Sequence, residues 1–288
     1  MWPDKVGGAM VVKNMPGGGS LVATNFVYQA KPDGLTVGTA NLGSGVISPV
    51  IMGDAGAKYD LKKMNWIGAY LSGGSLVVTL STAKPYKTVK DLQAAKGLKF
   101  ASRSPTAAST TYAALFFEVF GIDAKIVTGY QGGADMALAA KRGEVDGTVM
   151  PASGLPVYID AGGLQKPVMN MDFARSEYFP DTPSLAESAK LTPQQESLLR
   201  LQNATGASDK AVFAPPGIAE DRVKLMRDAF DKIIGDKGFK TLNEKYFPIW
   251  TRPMSGAELT EYIDKTLAIP KSELDAMSAL SKKYLAVK

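Results

Sequence analysis

Short apolar, β-branched runs alternate with stretches of helical periodicity along most of the chain. The strand-like runs are AMVVKN, LTVGTAN, WIGAYL, SLVVTLS, LKFASR, AKIVTGY, VDGTVMP, KPVMNM and KAVFAPP. Between them, apolar residues recur at helical spacing over 21–30, 89–95, 111–120 and 134–142. Gly121 and Gly143 stand where a helix C-terminus favours glycine. Strands separated by helices predict a parallel α/β sheet. After KAVFAPP the pattern turns helical, over 218–234, 239–246, 256–267 and 271–284. Pro216-Gly217 followed by Glu220 and Asp221 marks the start of that region, with acids in the first turn. No repeat or flexible linker interrupts the sequence, so two domains would be joined by strands rather than a tether.

At 288 residues the chain suffices for one large domain or two small ones. No apolar run is long enough to span a bilayer, and the richest, AALFFEVF, carries Glu118. The chain has neither cysteine nor histidine. That removes thiolate and Ser-His nucleophiles and almost every zinc, copper or haem site. No catalytic residue, metal or cofactor is therefore expected, and an enzyme would have to work through carboxylates, Lys or Tyr. The net charge of +5 is spread among interleaved acids, as in EDRVKLMRDAFDKIIGDKGFK. This reads as solvated helix faces, with an anionic ligand as the alternative. A nucleic-acid surface would cluster its cations with aromatics, so no nucleic-acid partner is expected.

In VVKNMPGGGSLVATNFVYQA an apolar run meets three glycines, a serine and a helical pattern, the order in which many proteins cradle phosphate. The nucleotide fingerprints fail letter by letter. A P-loop needs Lys and Ser/Thr after its second glycine, but Gly19 is followed by Ser20 and Leu21. A dinucleotide turn needs a third glycine where Val22 stands. The favoured reading is a tight turn with Ser20 near an N-cap; direct anion contact is the alternative. Likewise RGEVD, 142–146, reads as a helix end and strand entry rather than an acid–base pair, since nothing nearby tunes either carboxylate.

Three loops carry more chemistry. ASRSPTAASTTYAALFFEVFG packs Ser102, Ser104, Thr106, Ser109, Thr110 and Thr111 around a helix start beside Arg103. Hydroxyls and N–H groups converging there suit a carboxylate; equally, Ser and Thr are common in loops. In IVTGYQGGADMALA, Gly129, Gly132 and Gly133 permit close backbone approach, and Asp135 is either a helix cap, the favoured role, or an acceptor for a ligand donor. TANLGSGVISPV again puts small and hydroxyl residues after a strand. Open α/β sheets bind ligands at such strand C-termini.

Taken together these segments resemble the extracytoplasmic solute receptors of tripartite tricarboxylate transporters, the Bug proteins. VVKNMPGGGSLVATNFVYQAKPDGLTVGTA, PYKTVKDL, the hydroxyl loop ending in YAALFFEVFG, GYQGGADMALAAKRGEVDG and APPGIAEDRVKLM run in family order over nearly the whole chain. The resemblance implies an α/β fold of the type II periplasmic-binding-protein kind, with two α/β lobes and a ligand cleft between them. It implies a periplasmic, monomeric receptor that captures a small carboxylated solute and hands it to integral-membrane permease subunits. Lobe 1 is expected from 1–98 and 210–288, and lobe 2 from 99–209. On this pattern the ligand-binding positions fall on Thr39, Asn41 and Ser44, on Arg103, Ser104, Thr106, Ser109 and Thr110, and on Tyr130, Gly132, Gly133 and Asp135. The PGGGS turn is then mainly a fold feature.

Family members open with a signal peptide, a strand and a Gly-rich loop that contributes to the carboxylate site. This sequence starts at MWPDKVGGAMVV, so the resemblance predicts an upstream segment and a gap beside AMVVKN in the first lobe's sheet. The second loop is richer in Ser and Thr than the common Gly/Ser-rich version, so the identity of the acid does not carry over. Two rivals remain: a ligand sensor that docks a membrane regulator, and an enzyme on the same bilobal fold using Lys or Asp. No DNA-reading segment supports a transcriptional sensor, and the lack of His and Cys weighs against an enzyme.

Overall fold

The computed structural model describes residues 9–72, 75–206, 208–246 and 253–286. Its strands in chain order are β1 (Gly38–Asn41), β2 (Asn65–Ser72), β3 (Leu76–Leu80), β4 (Leu98–Ser102) and β5 (Ala124–Thr128), then β6 (Gly147–Pro151), β7 (Met169–Asn170), β8 (Ser208–Ala214) and β9 (Met254–Ser255). The chain divides into two units, Met1–Gly73 with Ser208–Ala268, and Gly74–Ala207 with Ile269–Lys288. These boundaries differ from the expected division at 98/99 and 209/210 in two respects. β3 pairs with β6 and so belongs to the second unit. The final helix, Lys271–Tyr284, packs on helix Ala108–Phe120 of that same unit, where Tyr284 meets Phe117 edge-on with ring centroids 5.4 Å apart.

In the first unit the sheet order is β1-β8-β2-β9, antiparallel throughout. β8 takes the central place because Ala211, Phe213 and Ala214 are buried, and Trp66 of β2 meets Phe213 edge-on at 5.9 Å. Leu42, Val46, Ile47, Leu61, Leu259 and Ile263 complete this core. Helix Glu220–Ile234 begins with the two acids expected of it and buries Val223, Met226, Phe230 and Ile233, one face at three- and four-residue spacing. Its approach requires Gly68, since a Cβ there would lie 2.2 Å from Phe230 Cε1.

One expected strand is absent: residues 9–14, AMVVKN, form neither strand nor helix. Val11 and Val12 are 90% and 80% exposed. A strand exists only where its backbone groups find a neighbour, and this segment is paired with no described strand. The glycine-rich turn that follows is structural. Gly17, Gly18 and Gly19 all take positive φ, and Ser20 is the one described non-glycine residue that does so, at 96°. Ser20 occupies the N-cap position of helix Leu21–Tyr28 without making a side-chain cap. A Cβ at Gly45 would lie 2.7 Å from Ser20 Oγ and 2.9 Å from the Gly19 carbonyl, so the turn packs on the π-helical turn Leu42–Ile47.

The second unit's sheet runs β5-β4-β6-β3-β7. β4 is parallel to both β5 and β6, whereas β3 is antiparallel to β6 and to β7. The fully parallel sheet expected from strand–helix alternation thus holds for three strands only. Elsewhere direction is set by where the chain enters each unit, as when β8 returns from a distant stretch to insert between β1 and β2. Helix Pro193–Gly206, which the periodicity did not single out, lies against Ala108–Phe120, with Gln202 Nε2 donating to the Thr111 carbonyl at 2.9 Å. No described helix is long and apolar enough to cross a membrane.

Candidate functional site

β4, β5 and β6 are parallel, so their C-termini share one edge of the second unit's sheet. Ser102 at the end of β4 stands opposite Thr128 at the end of β5. The two following loops are laced together there: Gly129 N–H donates to the Arg103 carbonyl at 3.2 Å and Tyr130 N–H to the Ser102 carbonyl at 3.4 Å. Two of the three loops singled out in the sequence are therefore neighbours in space.

The hydroxyl-rich loop separates into two groups. Ser102, Ser109 and Thr110 are buried. Ser102 Oγ lies 2.6 Å from Ser109 Oγ, and Thr110 Oγ1 lies 2.7 Å from both Ser102 Oγ and the Ser104 carbonyl. Each hydroxyl has one proton and the carbonyl can only accept. The Thr110 hydroxyl donates to Ser102 Oγ and to the Ser104 carbonyl, its one proton shared between them, and Ser102 and Ser109 bond to each other. Ser109 and Thr110 thereby hold the loop from below. Arg103, Ser104 and Thr106 are only partly buried, with Ser104 Oγ 3.4 Å from Thr106 Oγ1. The helix that follows starts at N-cap Ala107, which has no side chain to cap it.

The second loop has the same character. Helix Gly133–Lys141 starts at N-cap Gly132, again with no side-chain cap. Asp135 Oδ2 accepts the Gln131 N–H at 3.0 Å, the cap-like role favoured for it. Tyr130 is half-buried, and burial, then the charges of Glu144 and Asp135, push its phenol pKa up, so it stays a neutral hydroxyl. By contrast, helices Val89–Ala94, Leu185–Ser188 and Gly256–Leu267 each carry a full capping box. Uncapped first-turn N–H groups at the two loops are donors facing an anion's natural position.

The third loop belongs to the first unit. Thr39 is exposed on β1 with Oγ1 3.5 Å from Tyr70 Oη. Asn41 lies two residues on, opposite Lys210 of β8, whose ammonium donates to the Asn41 side-chain oxygen. The backbone of Ser44 lies in the Leu42–Ile47 turn, but its side chain lies outside the described residues. RGEVD is a helix end, as favoured: Gly143 takes φ 74°, Glu144 lies 3.8 Å from Arg142, and Asp146 accepts the Lys99 N–H at 2.8 Å. An open groove on the first unit, lined by Asn65, Asp221, Lys224, Arg227, Asp228 and Asp231, holds none of the residues expected to bind ligand.

Lys210 and Tyr158 went unnoticed in the sequence, since their partners Asn41 and Gly133 lie at distances no local pattern encodes.

Similar folds occur among solved structures. MatC from Rhodopseudomonas palustris, with bound malate, is 18% identical at a TM-score of 0.73, with 97% of this chain and 90% of that one covered. An R. palustris protein with adipate is 16% identical at 0.71, covering 97% and 89%. The periplasmic binding protein BugD is 18% identical at 0.72, covering 98% and 89%. Comparison with curated protein sequences gave no match. Residues 2–268, however, match the model of the tripartite tricarboxylate transporter family receptor, TctC. That match takes in nearly the whole chain and both groups of loops, and the chain belongs to the TctC receptor family.

Proposed function

We propose that this protein captures a small carboxylated solute in the periplasm and delivers it to the membrane subunits of a tripartite tricarboxylate-type transporter. One observation carries the reading. The loops after β4 and β5 meet at one sheet edge and lead into two helices that start without side-chain caps. Hydroxyls and unclaimed N–H groups at such an edge give a carboxylate hydrogen-bond donors and the favourable end of two helix dipoles. Family membership and the malate- and adipate-bound neighbours agree with this ligand chemistry.

In this reading Ser104, Thr106, Arg103 and the backbone around Gly132 and Gly133 meet the solute. Ser109 and Thr110 act through the loop that they hold. Asp135 fixes the second loop. Binding is by fixed donors rather than by bond-making chemistry. The test is a thermal-shift screen of mono- and dicarboxylates, confirmed by calorimetry. A true ligand at a hundred times its Kd adds about 2.7 kcal/mol of stability. A panel in which no acid raises the melting temperature would refute the reading.

A further inference from the structure

Tyr158 was no part of the sequence-derived site, yet its phenol stands at that site. It rises from helix Leu155–Asp160, which follows β6, the third strand ending at the shared edge. A Cβ on Gly133 would lie 2.6 Å from Tyr158 Oη and 2.9 Å from Cζ. The hydroxyl end of the ring, rather than its root, therefore abuts the first residue of helix Gly133–Lys141. The ring packs against the cluster of Met136, Ala137 and Leu155. Phenylalanine would fill that space equally well. Tyrosine adds a hydroxyl, on a half-buried residue, that has no hydrogen-bond partner among the described residues. It is therefore free to donate to a group that enters the site, as the polar tip of a part-buried tyrosine commonly does. Burial also pushes the phenol pKa up, so the group remains an O–H donor at neutral pH.

We infer that Tyr158 is a ligand-binding residue: its O–H donates to an oxygen of the bound solute beside Gly133. The inference rests on the receptor reading above. It also explains the glycine, since any side chain at 133 would collide with the phenol.

The experiment titrates wild type and Tyr158→Phe with malate, adipate, succinate and benzoate by calorimetry, and melts both proteins without ligand. For the best-binding acid, Tyr158→Phe should bind about 10-fold more weakly or worse, as expected for a lost hydrogen bond to a charged group. Its ligand-free melting temperature should match wild type, since packing is kept. Equal affinity for the two proteins would overturn the assignment while leaving the receptor reading intact. A ligand-free Tyr158→Phe that melts several degrees lower would overturn it too, because the hydroxyl's partner would then lie within the protein. A wild type that binds none of the four acids would bring down the receptor reading and this assignment with it.

Discussion

Thr110→Val is the sharpest probe of how the hydroxyl loop is held. The substitution keeps the branched shape and deletes a buried oxygen that lies 2.7 Å from Ser102 Oγ and 2.7 Å from the Ser104 carbonyl. Two hydrogen bonds vanish, at about 0.5–1.5 kcal/mol net each. Ser102 keeps Ser109 as a partner, and the Ser104 carbonyl keeps the Ala107 N–H at 3.2 Å, so neither is fully orphaned. The expected loss is about 2 kcal/mol. For a body of this size that lowers the melting temperature by roughly 4–8 °C. Thr110→Ser retains the hydroxyl and removes one buried methyl, a smaller loss of about 1 kcal/mol. Circular-dichroism melts of the three proteins test the order wild type, Ser, Val. Calorimetry with the best-binding acid should show a weaker Val variant, since Ser104 loses its anchor. A Val variant that melts with wild type and binds as well would refute the claim that this hydroxyl cluster positions the loop.

Two further outcomes follow from the packing and the charges. Gly68→Ala forces a Cβ to 2.2 Å from Phe230 Cε1; overpacking of this kind costs about 1–3 kcal/mol, and a variant as stable as wild type in urea would contradict it. Glu118 accepts hydrogen bonds from Lys283 and Tyr284, which hold its carboxyl below the usual 4.5. Its contribution is thus present above pH 4.5 and lost as pH falls through the lowered value. Glu118→Gln should therefore melt below wild type at pH 7, with the gap narrowing as the pH falls below 4.5; a constant gap would count against the ion pair.

Much of this architecture was readable in the residues, and the misses share a cause. Eight of the nine strand-like runs became strands, because buried strands announce themselves locally. AMVVKN did not, although its pattern is as good as any, since a strand needs a neighbour that no local pattern supplies. Strand direction in the first unit was invisible for the same reason: β8 joins β1 and β2 from far along the chain. Helix Pro193–Gly206 was missed despite a local signal. Thr192 and Gln195 exchange the hydrogen bonds of a capping box, at 2.9 and 3.3 Å, and its spacing stood in the sequence. At the site, the hydroxyl and glycine loops were legible from composition. That Ser109 and Thr110 are turned inward was not, because burial of a loop hydroxyl depends on the strand beneath it. Tyr158 needed the third dimension altogether.

The central position of β8 has a consequence for how the chain is made. On the ribosome, β1 and β2 emerge early, but the strand that joins them lies beyond the entire 74–207 stretch of the second unit. At about 5–20 residues per second, that stretch takes on the order of ten seconds to synthesise. During that interval Gly38–Asn41 and Asn65–Ser72 have no β8 to pair with, and the apolar side chains that will meet Phe213 remain uncovered. The nascent protein thus meets its greatest exposure of unpaired strand edges midway through translation, when general chaperones have most to protect.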